Sequence, residues 1–179
     1  MHRMPKTIPL FSRTLTLMLC LSIAPFSQVH ASSAADANAP KGPVAPLFEL
    51  THNDQVVSLL EHRGRVVYID FWASWCSPCR KSFPWMNDVL AKHENKGLSI
   101  VAINLDQDPD DAKAFLDDTR PNFVIAYDPS GSTAEDYRVM GMPSSYIIGR
   151  DGTLIWKHIG FRKKDKASIE KHLVSALEQ

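Results

Sequence analysis

Val66-Val67-Tyr68-Ile69-Asp70-Phe71-Trp72-Ala73-Ser74-Trp75-Cys76-Ser77-Pro78-Cys79 is the stretch that decides the fold. Its opening run, β-branched and aromatic with a single acid, reads as a buried strand. Beyond Cys79, the residues Arg80, Lys81, Ser82, Phe83, Trp85, Met86, Val89 and Leu90 suit an amphipathic helix over residues 76–93. Cys76 is therefore predicted to stand where the strand ends and the helix begins. Free amide N–H groups and the positive end of the helix dipole stabilise an anion at such a place. A thiolate is such an anion, and thiolates rather than thiols carry out disulfide exchange. Cys79 lies one turn further in and can close a ring onto Cys76 with little chain rearrangement.

Two plainer readings compete with a redox pair. A structural zinc site needs two further Cys or His ligands at matching spacing. The sequence has one other cysteine, Cys20, in a segment expected to be removed, and no histidines paired at ligand spacing. No metal is expected. A purely structural disulfide is the second, but so short a loop removes little unfolded-state entropy. The strand-then-helix setting favours redox chemistry.

The composition, 44% hydrophobic over 179 residues, suffices for one domain with a proper core. Formal charge is zero, with 20 basic and 20 acidic residues. Arg3, Lys6 and Arg13 fall in residues 1–31, which hold no acid, leaving 17 basic against 20 acidic, about −3. That balance gives no support to nucleic-acid binding, which usually needs a basic face. Residues 1–31 read as a secretory signal: a positive start, an apolar run over 15–24, and Val29-His30-Ala31 at the cleavage position. The run is short for a membrane span, which takes about 20 residues; left uncleaved, it would be an anchor and the chain's one membrane contact. Leu19 is bulky where a lipoprotein signal before Cys20 wants a small residue. Export to an oxidising compartment, the periplasm, follows, and there a lone C-x-x-C has partners for exchange.

Residues 32–43, rich in Ala, Ser, Pro and Gly, read as a flexible tether, and 44–179 as the folded domain. Residues 47–50 and 55–58 look like strands joined through Asn53-Asp54, a hairpin cue. Further strands are predicted at 98–105, 123–126, 144–148 and 154–159, with helices starting at Asp108, spanning 133–139, and spanning 165–177. Pro84 lies inside the first helix, where it removes one hydrogen bond. Strands alternate with helices early and form a hairpin late, so the sheet should be mixed.

Asp70-Phe71-Trp72-Ala73, Trp75-Cys76, Pro78-Cys79 and Pro84 together resemble the thioredoxin active-site signature. Gly141-Met142-Pro143 before a strand is similar to that family's cis-proline loop. The fit extends to the exported TlpA/ResA-like branch through the N-terminal strand pair, the Trp-Ala-Ser-Trp-Cys wording and an extra helix and strand between Asp106 and Asp128. The resemblance covers about residues 44–178. It implies an α/β thioredoxin fold: a central mixed sheet flanked by helices, with an N-terminal strand pair and a helix-strand insertion.

The resemblance also implies roles. Cys76 is the attacking thiol, the more exposed of the pair, with a pKa that C-x-x-C motifs lower into a range of about 3.5–7.5. Cys79 resolves the mixed disulfide. Ser77 and Pro78 tune the surroundings of Cys76. Asp70, costly in its apolar strand unless paired or protonated, is the general base for Cys79. Thioredoxin's neighbouring-strand lysine has no counterpart in Ile100-Val101-Ala102-Ile103. Pro143 follows a cis bond and faces Cys76, where its ring blocks metal capture. The backbone of Met142 pairs with extended substrate. Trp75 covers the disulfide and meets partners, while Trp72 belongs to the core; Phe83, Trp85 and Met86 suit either core or docking surface.

The resulting expectation is a periplasmic thiol:disulfide oxidoreductase that needs no cofactor. Its partners are substrate proteins carrying thiols or disulfides and a membrane electron donor. Net reduction, in cytochrome c maturation or of a copper-delivery protein, is the leading direction, and a general oxidant or isomerase the alternative. A copper metallochaperone is a reading of another class; His158 is its one candidate distal ligand. A redox-inert binding module is the third.

Overall fold

The computed structural model describes residues 42–179 apart from residue 109. The expected export signal, Cys20 and all but the last two tether residues lie outside the described residues.

Strand pairing is centred on β3 (Val66–Trp72), every residue of which is buried. On one side it runs parallel to β4 (Leu98–Asn104), with Val66 opposite Leu98 and Trp72 opposite Asn104. On the other it runs antiparallel to β6 (Ser144–Ile148), with Phe71 opposite Ser144. β5 (Val124–Tyr127) continues the sheet beyond β4 in parallel, and β7 (Leu154–Ile159) closes it beyond β6. The hairpin of β1 (Glu49–His52) and β2 (Gln55–Ser58) extends the far edge through β5. The order is β2-β1-β5-β4-β3-β6-β7, the mixed sheet that the strand and helix pattern predicts.

Near-continuous apolar sequence in β3 and β4 follows from cover on both faces. Val66, Tyr68 and Trp72 face a core built with α1 (Cys79–His93), α2 (Asp111–Thr119) and α4 (Lys166–Leu177). Val67, Ile69 and Phe71 face a second core with Phe48, Leu59, Tyr137 and Ala134, the last from α3 (Ser132–Asp136). Trp72 is in the first core, as expected, with Phe83 and Phe115 at ring-centroid distances of 4.9 and 4.5 Å. Phe83, Trp85 and Met86 are buried as well, so they pack the core and form no docking surface.

Several boundaries differ from the sequence reading, for local reasons. β1 starts two residues later than expected and runs to the turn itself. Asn53 and Asp54 both take positive φ (49° and 60°), the pair of left-handed residues that a tight hairpin demands and that Asn and Asp tolerate. α3 stops at Asp136 because Arg138 turns left-handed at φ 52°. α2 begins at Asp111 rather than Asp108, whose carboxylate accepts from the Asp110 N–H at 3.0 Å.

Phe115 joins two aromatic neighbours at the heart of the first core. Phe115→Ala should cost about 3–5 kcal/mol of unfolding free energy, measured by urea titration. Trp75→Ala, at a 72% exposed residue, should change it by no more than about 0.5 kcal/mol.

Candidate active site at the end of the central strand

β3 ends at Trp72, and α1 begins at Cys79, three residues later than the start at Cys76 that the sequence reading placed there. Pro78 explains the shift. Its ring disfavours helical backbone at Ser77, while its own φ of −64° suits the position just before a helix. Cys76 thus sits in a turn in front of the helix and not inside its first turn. Its N–H donates to the Ala73 carbonyl at 3.0 Å.

Cys76 and Cys79 are joined in a disulfide, with Cα atoms 5.3 Å apart. The Cys79 N–H donates to the Cys76 carbonyl at 3.1 Å and approaches the Cys76 Sγ at 3.3 Å. A backbone donor aimed at sulfur stabilises a thiolate in the reduced pair more than a thiol, since charge-assisted hydrogen bonds are the stronger ones. Cys76 is 3% exposed and Cys79 fully buried. The order of exposure is the expected one, but the outer sulfur has only a narrow opening. Ser77, Pro78 and Trp75 are exposed around it.

The approach to Cys76 is tied down by a carboxylate that sequence reasoning missed. Asp106, nearly buried, accepts from the Ser74 N–H at 2.9 Å and the Ser74 hydroxyl at 3.0 Å. Asn104, the last residue of β4, donates its side-chain amide to Asp106 at 2.8 Å and accepts from the Asp106 N–H at 3.1 Å. The one sequence signal was an Asn and an Asp closing an apolar strand.

Asp70 lies in the middle of the sheet, opposite Ala102 on β4 and Ser145 on β6. By strand alternation it points to the face of Tyr68 and Trp72, the side on which Cys79 packs. The register puts Ala102 where a charged partner would stand, matching the missing lysine. Ser145 donates its hydroxyl to Asp70 Oδ1 at 2.7 Å, and Oδ2 has no hydrogen-bond partner among the described residues. Burial pushes the Asp70 pKa up to about 7, and the Ser145 hydrogen bond pulls against it.

The Met142–Pro143 peptide is cis. Because β6 runs antiparallel to β3, the start of β6 lies at the end of β3, so this loop shares one end of the sheet with Cys76. Pro143 is buried, its carbonyl accepting from the Gly160 N–H at 2.7 Å, and Met142 packs half-buried on the first core. His158, on edge strand β7, stacks on Trp156 and lies 3.6 Å from Asp165. Its strand partner is Ser145.

A strand, a C-x-x-C turn, a helix and a cis-proline loop meeting at one end of a mixed sheet define a fold, and residues 34–173 match the family model described as Redoxin. The chain belongs to the Redoxin family. Among its relatives, the thiol-disulfide oxidoreductase ResA of Bacillus thuringiensis subsp. konkukian is 29% identical over 95% of this chain and 97% of its own. The thiol:disulfide interchange protein CycY of Rhizobium leguminosarum bv. viciae is 38% identical over 65% of this chain and 61% of its own. The crystal structure named for the thiol:disulfide interchange protein DsbE of Chlorobium tepidum superposes with a TM-score of 0.75 at 47% identity, covering 78% of this chain and 99% of the other. This Redoxin-family chain is accordingly a thiol-disulfide oxidoreductase of the ResA, CycY and DsbE type with a thioredoxin-like fold.

Burial of Asp70 makes stability depend on pH. Between the ordinary carboxyl pKa of 3.8 and about 7, the folded state holds a proton that the unfolded chain has released. Stability from this group is complete below that window and is lost as pH rises through it. Asp70→Asn removes the titration, so its advantage over the parent should be absent near pH 4 and approach about 4 kcal/mol above pH 8. Urea unfolding at both pH values measures it.

Proposed function

We propose that the enzyme reduces disulfides in selected substrate proteins of the periplasm, through a mixed disulfide formed at Cys76. The observation that carries the mechanism is a fully buried carboxyl group, Asp70, on the Cys79 face with one oxygen free among the described residues; burial pushes its pKa up to about 7, where it can both take and release a proton. In the first step the Cys76 thiolate attacks a substrate disulfide. One substrate sulfur leaves with the electron pair, and the other stays bonded to Cys76. Cys79 then gives its proton to the Asp70 carboxylate and attacks the Cys76 sulfur. The bond from Cys76 to the substrate breaks, the second substrate sulfur leaves as a thiolate, and the Cys76–Cys79 disulfide closes. The substrate has gained two electrons and the enzyme has lost two. A dithiol electron donor at the membrane restores the reduced pair.

Trp75, exposed beside Cys76, and the Met142 backbone before cis-Pro143 are assigned to substrate contact. Ser77 and Pro78 shape the turn that holds the attacking sulfur. Among the described residues no helix is long and apolar enough to cross a membrane; export and any anchoring are assigned to residues 1–31, with 32–43 as tether and 44–179 as the working domain. The direction rests on the habit of the TlpA/ResA-like branch, and c-type apocytochromes or a copper-delivery protein are the substrates it favours.

Equilibration with glutathione buffers tests the direction. A reduction potential near −270 mV, around that of thioredoxin, is expected, and one near −120 mV would make the enzyme an oxidant. Cys79→Ala should accumulate covalent complexes through Cys76 in cells, and their identity names the substrate. Asp70→Asn should slow release of substrate from a preformed Cys76 mixed disulfide by about 10²-fold or more at pH 8; an unchanged rate dismisses Asp70 as the base.

A further inference from the structure

The two oxygens of Asp70 stand in different surroundings. Oδ1 accepts the Ser145 hydroxyl at 2.7 Å, while Oδ2 is buried without a partner. Ser145 is itself buried and directly opposite Asp70 in the β3–β6 register, so both side chains leave the sheet on the same face. Among the described residues no other side chain hydrogen-bonds Asp70. Ala102, opposite on β4, has no polar side-chain atom. The residues of α4 in this core are Ile169, Leu173 and Ala176, all apolar. Tyr68, two residues before Asp70 on the same face, has a buried hydroxyl that feels both the Asp70 charge and the Ser145 hydroxyl but makes no hydrogen bond to Asp70. His158, next in the row beyond Ser145, has its ring nitrogen 3.6 Å from Asp165. α1 buries two titratable side chains, Cys79 in this core and His93, whose ring lies 3.6 Å from Glu170.

We propose that Ser145 is a positioning residue for the base: it holds Oδ1 in both protonation states and leaves Oδ2 as the atom that takes and returns the Cys79 proton. The proposal rests on the reading of Asp70 as the base for Cys79. The chemistry fits both halves of the cycle. When Asp70 is ionised, Oδ1 accepts the serine O–H as a charge-assisted bond. When Oδ2 carries a proton, Oδ1 is a carbonyl oxygen and still accepts the same O–H. Proton transfer therefore requires no rotation of Ser145.

The hydroxyl also fixes how acidic the base is. Burial alone disfavours the anion, and the serine bond is the opposing influence at Asp70. Without it the carboxyl would hold its proton to higher pH, and at neutral pH a smaller fraction would be available to accept one from Cys79. Tyr68 does not replace it: burial and the Asp70 charge keep its phenol neutral while the Ser145 hydroxyl pulls the other way, and no hydrogen bond from the phenol reaches Asp70.

The test follows Asp70 directly by the 13Cγ chemical shift in aspartate-labelled, oxidised protein, titrated from pH 4 to 10. The parent should titrate near 7. Ser145→Ala should titrate about one unit or more higher, since the lost bond is to a charged group. Ser145→Thr, which keeps the hydroxyl, should return the midpoint to the parent's. A midpoint in Ser145→Ala equal to the parent's overturns the proposal, as does one raised equally in Ser145→Thr, because then the side-chain volume and not the hydroxyl is responsible. The resolution rate of a Cys76 mixed disulfide supplies the second readout. Its pH midpoint should rise with the NMR midpoint in Ser145→Ala, leaving the rate about five-fold lower at pH 7 for a one-unit shift. If the carbon titration moves while the resolution rate of both Ser145→Ala and Asp70→Asn stays at the parent's value, Asp70 is not the base; the serine then sets its acidity but positions nothing for catalysis.

Discussion

A strand hydrogen-bonded on both sides and covered on both faces has no freedom left, and β3 is such a strand. β4 and β6 fix its register, while the two cores hold Val66, Tyr68 and Trp72 on one side and Val67, Ile69 and Phe71 on the other. The chain must leave at Trp72, in one direction and at one depth. The cysteine turn is attached at that point, and α1 locks the second cysteine into the core. The antiparallel β6 brings the cis-proline loop to the same end. The position of the reactive sulfur is thus a consequence of the sheet, with the turn adding local detail.

Placing an acid in that strand has a cost and a use, and both come from burial. A carboxylate deprived of water and of any cationic neighbour is held largely as the neutral acid until pH approaches 7. The same change that weakens the fold at neutral pH gives a group able to exchange protons there. A lysine opposite in place of Ala102 would have stabilised the anion and moved the titration out of range. A single neutral hydroxyl from Ser145 gives a milder correction.

Much of this was legible in the residues themselves. The apolar run with one acid located β3, and the C-x-x-C behind it located the site, because strand periodicity and cysteine spacing are both local. β6, β7 and the mixed character of the sheet were readable for the same reason. Cross-strand relations were not. That Ser145 faces Asp70 depends on the register of two strands 75 residues apart, and no local pattern carries that. Asp106 escaped attention likewise, since its partner Ser74 is 32 residues away. The boundary errors have local causes that composition understates: Pro78 delays α1 to Cys79, and paired left-handed residues at Asn53 and Asp54 let β1 run up to the turn, two residues further along than expected. Phe83, Trp85 and Met86 showed the remaining ambiguity, because an apolar helical face looks alike whether it meets a core or a partner.

The Asp106 clamp bears on how defects in this enzyme would be distributed. Ser74 is hydrogen-bonded to a side chain beyond the end of the neighbouring strand, so the stretch leading to Cys76 borrows its shape from a part of the gene far downstream. Alleles altering Asn104 or Asp106 would leave buried donors or acceptors unmatched, at about 1–3 kcal/mol each, and loosen the cysteine turn without touching a sulfur. In a genetic screen such alleles would group with cysteine lesions by phenotype while mapping to a different exchangeable segment of the chain.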